Sequence, residues 1–298
     1  MLKAIAVCAF LAVVATVTGG NGGEAQPGAQ ELWEQAVAAK GGRERLRAVA
    51  SFAIHEKTVF ARPVRGIAER RVQQLVCELP DLCWEFLDYR PGKMGYTVRV
   101  VNVRTGQGWA SHGAAASPFR QPDTSAAFQL RQLQYLYFLE TRWVKPIPLR
   151  GSRVRLGSRV IDRLETLVED EPVVYFLDAV THLPVRIEAT HEWHLPPPRP
   201  GMKPPGPTQY TYELADYHDV AGIQVPGRVK RGADSSEAQV EVNPAYNPSL
   251  FTTPPSPDAT IDSWRRETGQ LAGASRRLAY QGTGELAFTA LDSRIKGR

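Results

Sequence analysis

Apolar and polar residues alternate along most of this chain with a period of two. Ile223, Val225 and Val229 oppose Gln224, Arg228 and Lys230; Ala238, Val240 and Val242 oppose Gln239, Glu241 and Asn243; Tyr210, Tyr212 and Leu214 oppose Thr211 and Glu213. Over residues 185–194, Val185, Ile187, Ala189, His191 and Trp193 point one way, and Arg186, Glu188, Thr190, Glu192 and His194 the other. Successive strand side chains project to opposite faces, so the pattern predicts an antiparallel sheet with one buried and one wetted face. Further strands are predicted over 52–60, 67–76, 84–89, 95–103, 107–111, 154–161 and 173–178. Turns are predicted at Arg62-Pro63, Pro91-Gly92, Thr105-Gly106, Glu171-Pro172, Thr181-His182 and Ala221-Gly222, whose residue types favour reversals.

Two stretches break the period. Residues 31–49 place Leu32, Ala36, Val37, Leu46 and Val49 at helical spacing, and Gly41-Gly42 divides that helix or kinks it. A second helix runs from a cap at Asp123 or Thr124 through Phe128, Leu130, Leu133, Leu136 and Tyr137 to about Thr141. With Tyr135, Phe138 and Trp143 nearby it is apolar over much of its circumference, so it must be covered on more than one side. It is either an ordinary core helix or a lid or plug lying in the concavity of a curved sheet.

The ends of the chain read differently. Lys3, then an apolar run over 4–17, then small and polar residues over 19–25 predict a secretory signal peptide, residues 1–25, removed before Gln26. The run is shorter than the ~20 residues a membrane span needs. Cys8 lies inside the run rather than after a cleavage site, which argues against lipidation. Export places the protein where disulfides persist, and Cys77 and Cys83 flank a short Pro-Asp loop that a bridge would pin. Residues 195–207 (LPPPRPGMKPPGP) cannot pair in a sheet and form an extended loop. Residues 259–298 are weakly patterned and locally basic, with Arg265-Arg266 and Arg276-Arg277, and are expected to be a disordered or loosely docked tail.

Composition narrows the function. An apolar content of 43% is enough for a sizeable core. A net charge of +5 with acids interspersed among the bases argues against a nucleic-acid binder. There is no phosphate-binding loop, no complete dinucleotide fingerprint and no Gly-x-Ser-x-Gly elbow. His191 and His194 are three apart on a predicted strand, so their rings face opposite sides; no metal site and no cofactor is expected. Glu169-Asp170-Glu171 is an acidic turn. A hydrolase built from residues distant in sequence stays open as an alternative, but a non-enzyme is expected.

Several motifs resemble those of exported outer-membrane lipoprotein carriers and sorting proteins (LolA/LolB-like). Residues 32–49 (LWEQAVAAKGGRERLRAV) resemble their opening helix. Residues 175–186 (YFLDAVTHLPVR) resemble a strand, an Asp-x-x-Thr turn and a Leu-Pro-x-Arg strand start. Residues 212–226 (YELADYHDVAGIQVP) are similar to their aromatic strand, Asp-Tyr turn, Gly-Ile and Pro, and Val242-Asn243-Pro244 followed by Leu250-Phe251 and Pro254 to their closing strand and Asn-containing exit. The resemblance implies an α+β fold over 26–258: a strongly curved antiparallel sheet of about ten strands, an open half-barrel wrapped around a few helices. It implies an apolar concave face that shelters acyl chains, with a lipid or an acylated protein as partner, periplasmic or secreted localisation, and peripheral membrane contact. A structural or regulatory envelope module that binds a protein through the proline-rich loop and the tail is the other reading. Phe128, Leu133, Tyr137, Trp143, Tyr175, Leu177, Ile187 and Trp193 are the expected lining residues.

Overall fold

The computed structural model describes residues 28–61, 70–90, 95–111, 116–118, 122–191, 206–246 and 249–252. The predicted signal peptide, Trp193, His194, nearly all of the proline-rich loop and the C-terminal tail lie outside the described residues.

The opening helix is divided at the glycine pair, as its sequence requires: α1 spans Ala29–Ala39 and α2 Arg43–Arg47. Gly41 has φ +119°, and a Cβ there would lie 2.1 Å from the carbonyl oxygen of Gly222. Only glycine fits so tight a contact in that backbone conformation.

The strands are β1 Ser51–Val59, β2 Arg70–Glu78, β3 Leu82–Asp88, β4 Tyr96–Asn102, β5 Gly108–Ser111, β6 Ala116–Pro118, β7 Ile147–Leu156, β8 Arg159–Val168, β9 Glu171–Asp178, β10 Pro184–His191, β11 Thr208–Val220, β12 Ile223–Arg231 and β13 Asp234–Val242. They form one 13-stranded antiparallel sheet in the order β6-β5-β4-β3-β2-β1-β13-β12-β11-β10-β9-β8-β7. The sheet is therefore a meander cut at its middle: β1 pairs with β13, while β6 and β7 are left as the two edges. Between those edges the chain runs through α3, Thr124–Phe138. The architecture is the expected α+β open, curved sheet, with more strands than the alternation predicts.

Three differences have local causes. Residues 147–168 are a hairpin, β7 and β8, turning at Gly157-Ser158, where the alternation predicts one strand over 154–161; arginines 150, 153, 155 and 159 mask the pattern. β11 runs straight through Asp216-Tyr217, where the motif suggests a turn: Asp216 takes φ +57° opposite Gly227, and the register with β12 is the same on either side, so the chain neither reverses nor slips there. The turn between β8 and β9 falls at Glu169 and Asp170, both at positive φ, and leaves Glu171 and Pro172 in the strand.

The concave face carries the main core. Phe52, Ile54, Leu75, Val101, Leu164, Tyr175, Ile187, Tyr212, Val225 and Val240 belong to one buried cluster with α1 and α3. The Cys77–Cys83 disulfide joins directly opposed residues of β2 and β3, as predicted. A second, smaller core lies on the opposite side of β2, β3 and β4. Val76, Trp84, Phe86, Val98 and Val100 are covered there by Leu250 and Phe251 of the short helix α4, Ser249–Thr252, and by Tyr246. The exit from the closing strand is thus a strap over the convex face.

Candidate functional site

The chemistry of interest lies where α3 meets the concave face. Asp123 caps the helix, its carboxylate accepting from the Ala126 amide at 2.9 Å. Alanine, leucine, glutamine and arginine favour the helix that continues from it. Leu139, at φ +63°, ends it. No residue from 125 to 138 is exposed, so the sheet and its neighbours enclose α3 on nearly every side.

One face of α3 meets β9, β10 and β11. The Phe128 ring stacks on His191 with 3.7 Å between centroids and lies 5.3 Å from Tyr210. Arg131 reaches Glu169 and Glu171 at 3.4 Å each. Glu171 also holds His191, with Nδ1 at 2.7 Å. The Tyr212 hydroxyl donates to the Gln132 side-chain oxygen at 2.5 Å. At the N-terminal cap, Arg99 links Glu85 to Asp123, the latter at 3.7 Å.

The C-terminal end is fixed by the opening helices. Lys40 is fully buried, and its ammonium donates to the carbonyls of Tyr137, at 2.6 Å, and Gln224. It also sits 5.2 Å from the centre of the Tyr217 ring. Burial pushes the pKa of the Lys40 ammonium down to about 7. The buried Glu140 carboxylate receives Arg43 at 2.9 Å and Arg47 at 3.3 Å. Phe138 packs on Phe52, with centroids 5.2 Å apart.

The interface is not purely apolar. The hydroxyls of Tyr137 and Tyr175, the side-chain nitrogen of Gln132 and the side-chain oxygen of Gln134 are buried with no hydrogen-bond partner among the described residues. Burial pushes the phenols of Tyr137 and Tyr175 well above their usual range, so both stay neutral donors.

The expected lining residues are placed as follows. Phe128, Tyr137, Tyr175, Leu177 and Ile187 are buried together in the concave core, and Leu133 is partly buried against it. Trp143 stands at the surface after α3. His191 is an interior histidine satisfied by its neighbours, and no group of three metal-binding side chains occurs among the described residues. Sequence patterns do not single out Lys40 or Arg131. For Arg131 the available signals are a lone charged residue in a helix of otherwise uncharged residues and an acidic turn without a stated partner. For Lys40 there is none, because only the tertiary structure brings the Tyr137 and Gln224 carbonyls to it.

No protein-family model matches the chain, and no curated protein matches it. Among solved structures, it is similar to an outer membrane lipoprotein-sorting protein domain from Vibrio parahaemolyticus. That likeness has 12% identity, covers 75% of this chain and 95% of the other, and has a TM-score of 0.40. It is also similar to lipoprotein LppX of Mycobacterium tuberculosis, at 9% identity over 74% and 97% of the two chains, with a TM-score of 0.27. A chain of the MucA/MucB complex of Pseudomonas aeruginosa matches at 11% identity over 80% and 96%, with a TM-score of 0.21. These likenesses are of the kind the sequence motifs imply. With TM-scores below 0.5 they carry no argument about function, which rests on the geometry of α3 against the concave face.

Proposed function

We propose that this chain is an exported binding and carrier protein for a ligand bearing an acyl chain, a lipid or an acylated protein, held between α3 and the concave face without catalysis. The supporting observation is α3 itself. An unclosed sheet must cover its apolar inner face, and here the cover joins the two sheet edges and buries polar atoms that find no partner among the described residues. Each such atom costs about 1–3 kcal/mol. A filler that carries this cost can be displaced by a ligand that covers the same apolar face and lets Gln132 and Gln134 of α3 meet water. Each methylene so buried contributes about 0.8 kcal/mol, so one long acyl chain offsets the exchange. Phe128, Leu133, Tyr137, Tyr175, Leu177 and Ile187 form the walls in this reading, with Trp143 at the rim. The Cys77–Cys83 bridge supports a compartment in which disulfides persist.

Native mass spectrometry of the full chain, purified from an envelope without denaturation, tests the reading. The expected result is one acyl-bearing molecule per chain, and a loss of it in Leu133→Gln protein that keeps its melting transition. Failure of delipidated protein to take up radiolabelled palmitate or phosphatidylglycerol would contradict it.

A further inference from the structure

Residues 142–150 lead from α3 into the edge strand β7, and they have an unusual surface. Trp143, Ile147 and Leu149 are 36%, 59% and 54% exposed, and they account for three of the large exposed apolar side chains among the described residues. Arg142, Lys145 and Arg150 alternate with them, are all exposed, and form no ion pair among the described residues. Leu156, farther along β7, is exposed as well, as is Val160 on the neighbouring β8.

An open strand edge invites another strand, but this one is poorly suited to accept it. Pro148 has no amide hydrogen to donate, and the register shifts between Pro148 and Arg150, a bulge that interrupts the ladder. What remains is a row of side chains, apolar between cations. Tryptophan suits the boundary between headgroups and acyl chains, and lysine and arginine can extend to anionic headgroups while aliphatic neighbours enter the bilayer.

We propose that residues 142–150 dock the protein on an anionic lipid bilayer. Charge complementarity specifies the surface: three exposed cations without counter-ions among the described residues lie along the stretch, and no acidic residue interrupts it. The proposal rests on the carrier reading and deepens it, because the docking segment continues directly from α3 at the opening between the two sheet edges; contact with a bilayer would bring that opening to the lipid.

Vesicle sedimentation of the full chain tests it. Vesicles of phosphatidylcholine with about one third phosphatidylglycerol should bind the protein, and phosphatidylcholine alone much less. Added salt should weaken binding, since exposed charges are screened. Arg142→Glu with Lys145→Glu and Arg150→Glu should lower affinity by about fivefold or more for each charge lost. Ile147→Ser with Leu149→Ser should lower it on the order of tenfold, through lost apolar burial. Both variants change only exposed side chains, and an unchanged melting transition shows that they fold. Equal binding of wild type and both variants, or no preference for anionic vesicles, would overturn the proposal. So would a wild type that ignores vesicles and captures a protein through this segment. Palmitate uptake, measured on the same variants, separates the two readings. Variants that lose vesicles but keep palmitate support docking as a distinct function. Vesicle binding that depends on this segment in a protein that never takes up palmitate leaves the docking surface standing and removes the carrier reading.

Discussion

At the C-terminal end of α3 the holding charges are buried; where its N-terminal half meets β9 and β10 they are partly in water. Lys40 and Glu140 are both fully or almost fully enclosed, and each is satisfied by two partners that are fixed in the fold. Arg131, Glu169 and Glu171 are partly exposed, with longer contacts. A buried charge cannot lose its partners without being left uncompensated, which costs several kcal/mol. A partly exposed pair can part, and water replaces the lost contact at a cost of about 1 kcal/mol or less. One helix is thus held unequally at its two ends: the end next to α1 and α2 is a pivot, and the end that faces β9 and β10 is a clasp.

The sharpest way to break this contrast is to remove the pivot. Lys40→Ala leaves the Tyr137 and Gln224 carbonyls buried and unpaired and opens a cavity. The expected loss is about 3 kcal/mol or more in urea unfolding. A loss below about 1 kcal/mol would show that the lysine is not the anchor.

The same group gives a pH dependence. Burial holds the folded pKa of Lys40 at about 7, below its ordinary 10.5, so between those values the unfolded chain binds the extra proton. Stability therefore rises with pH across that window, by up to about 1.4 kcal/mol per pH unit. The gain is complete above the unfolded pKa and is lost as pH falls to and through the folded one. Lys40→Met should lack this rise. Parallel curves for the two proteins would contradict the burial of the ammonium.

The polar part of the interface is sharpened by deletion of single oxygens. Tyr137→Phe and Tyr175→Phe each remove a buried hydroxyl that has no partner among the described residues, and each should raise the melting transition, with a gain of about 1 kcal/mol. A loss of stability would mean that the hydroxyl is satisfied in solution by water or a bound molecule. The smallest effect is expected at the clasp: Arg131→Ala should cost less than about 1 kcal/mol overall, yet speed amide exchange in the first turns of α3.

Much of this architecture is written in local pattern. Alternation places β10 through β13 because one face is uniformly buried, and a one-residue slip would expose it. The Gly41-Gly42 break, the Asp123 cap and the Cys77–Cys83 pairing are each set within a few residues. The β7–β8 hairpin is not visible, because β7 is mostly exposed and arginines 150, 153, 155 and 159 interrupt the apolar positions on both strands. The second core is not visible either: Trp84 and Phe86 fall on the opposite side from Cys83 and Leu87, and only the strap at Leu250-Phe251 explains burial on both sides. For the candidate site, the apolar walls are legible as strand positions. The charges at the two ends of α3 are not, since Lys40 meets its partners at separations of 97 and 184 residues.

Amide hydrogen exchange, resolved along α3 in delipidated protein with and without saturating palmitate, tests the central claim most directly. The expected result is that palmitate speeds exchange over residues 126–133 and leaves 135–139 protected. Uniform protection along the whole helix, unchanged by palmitate and lost only in global unfolding, would contradict it.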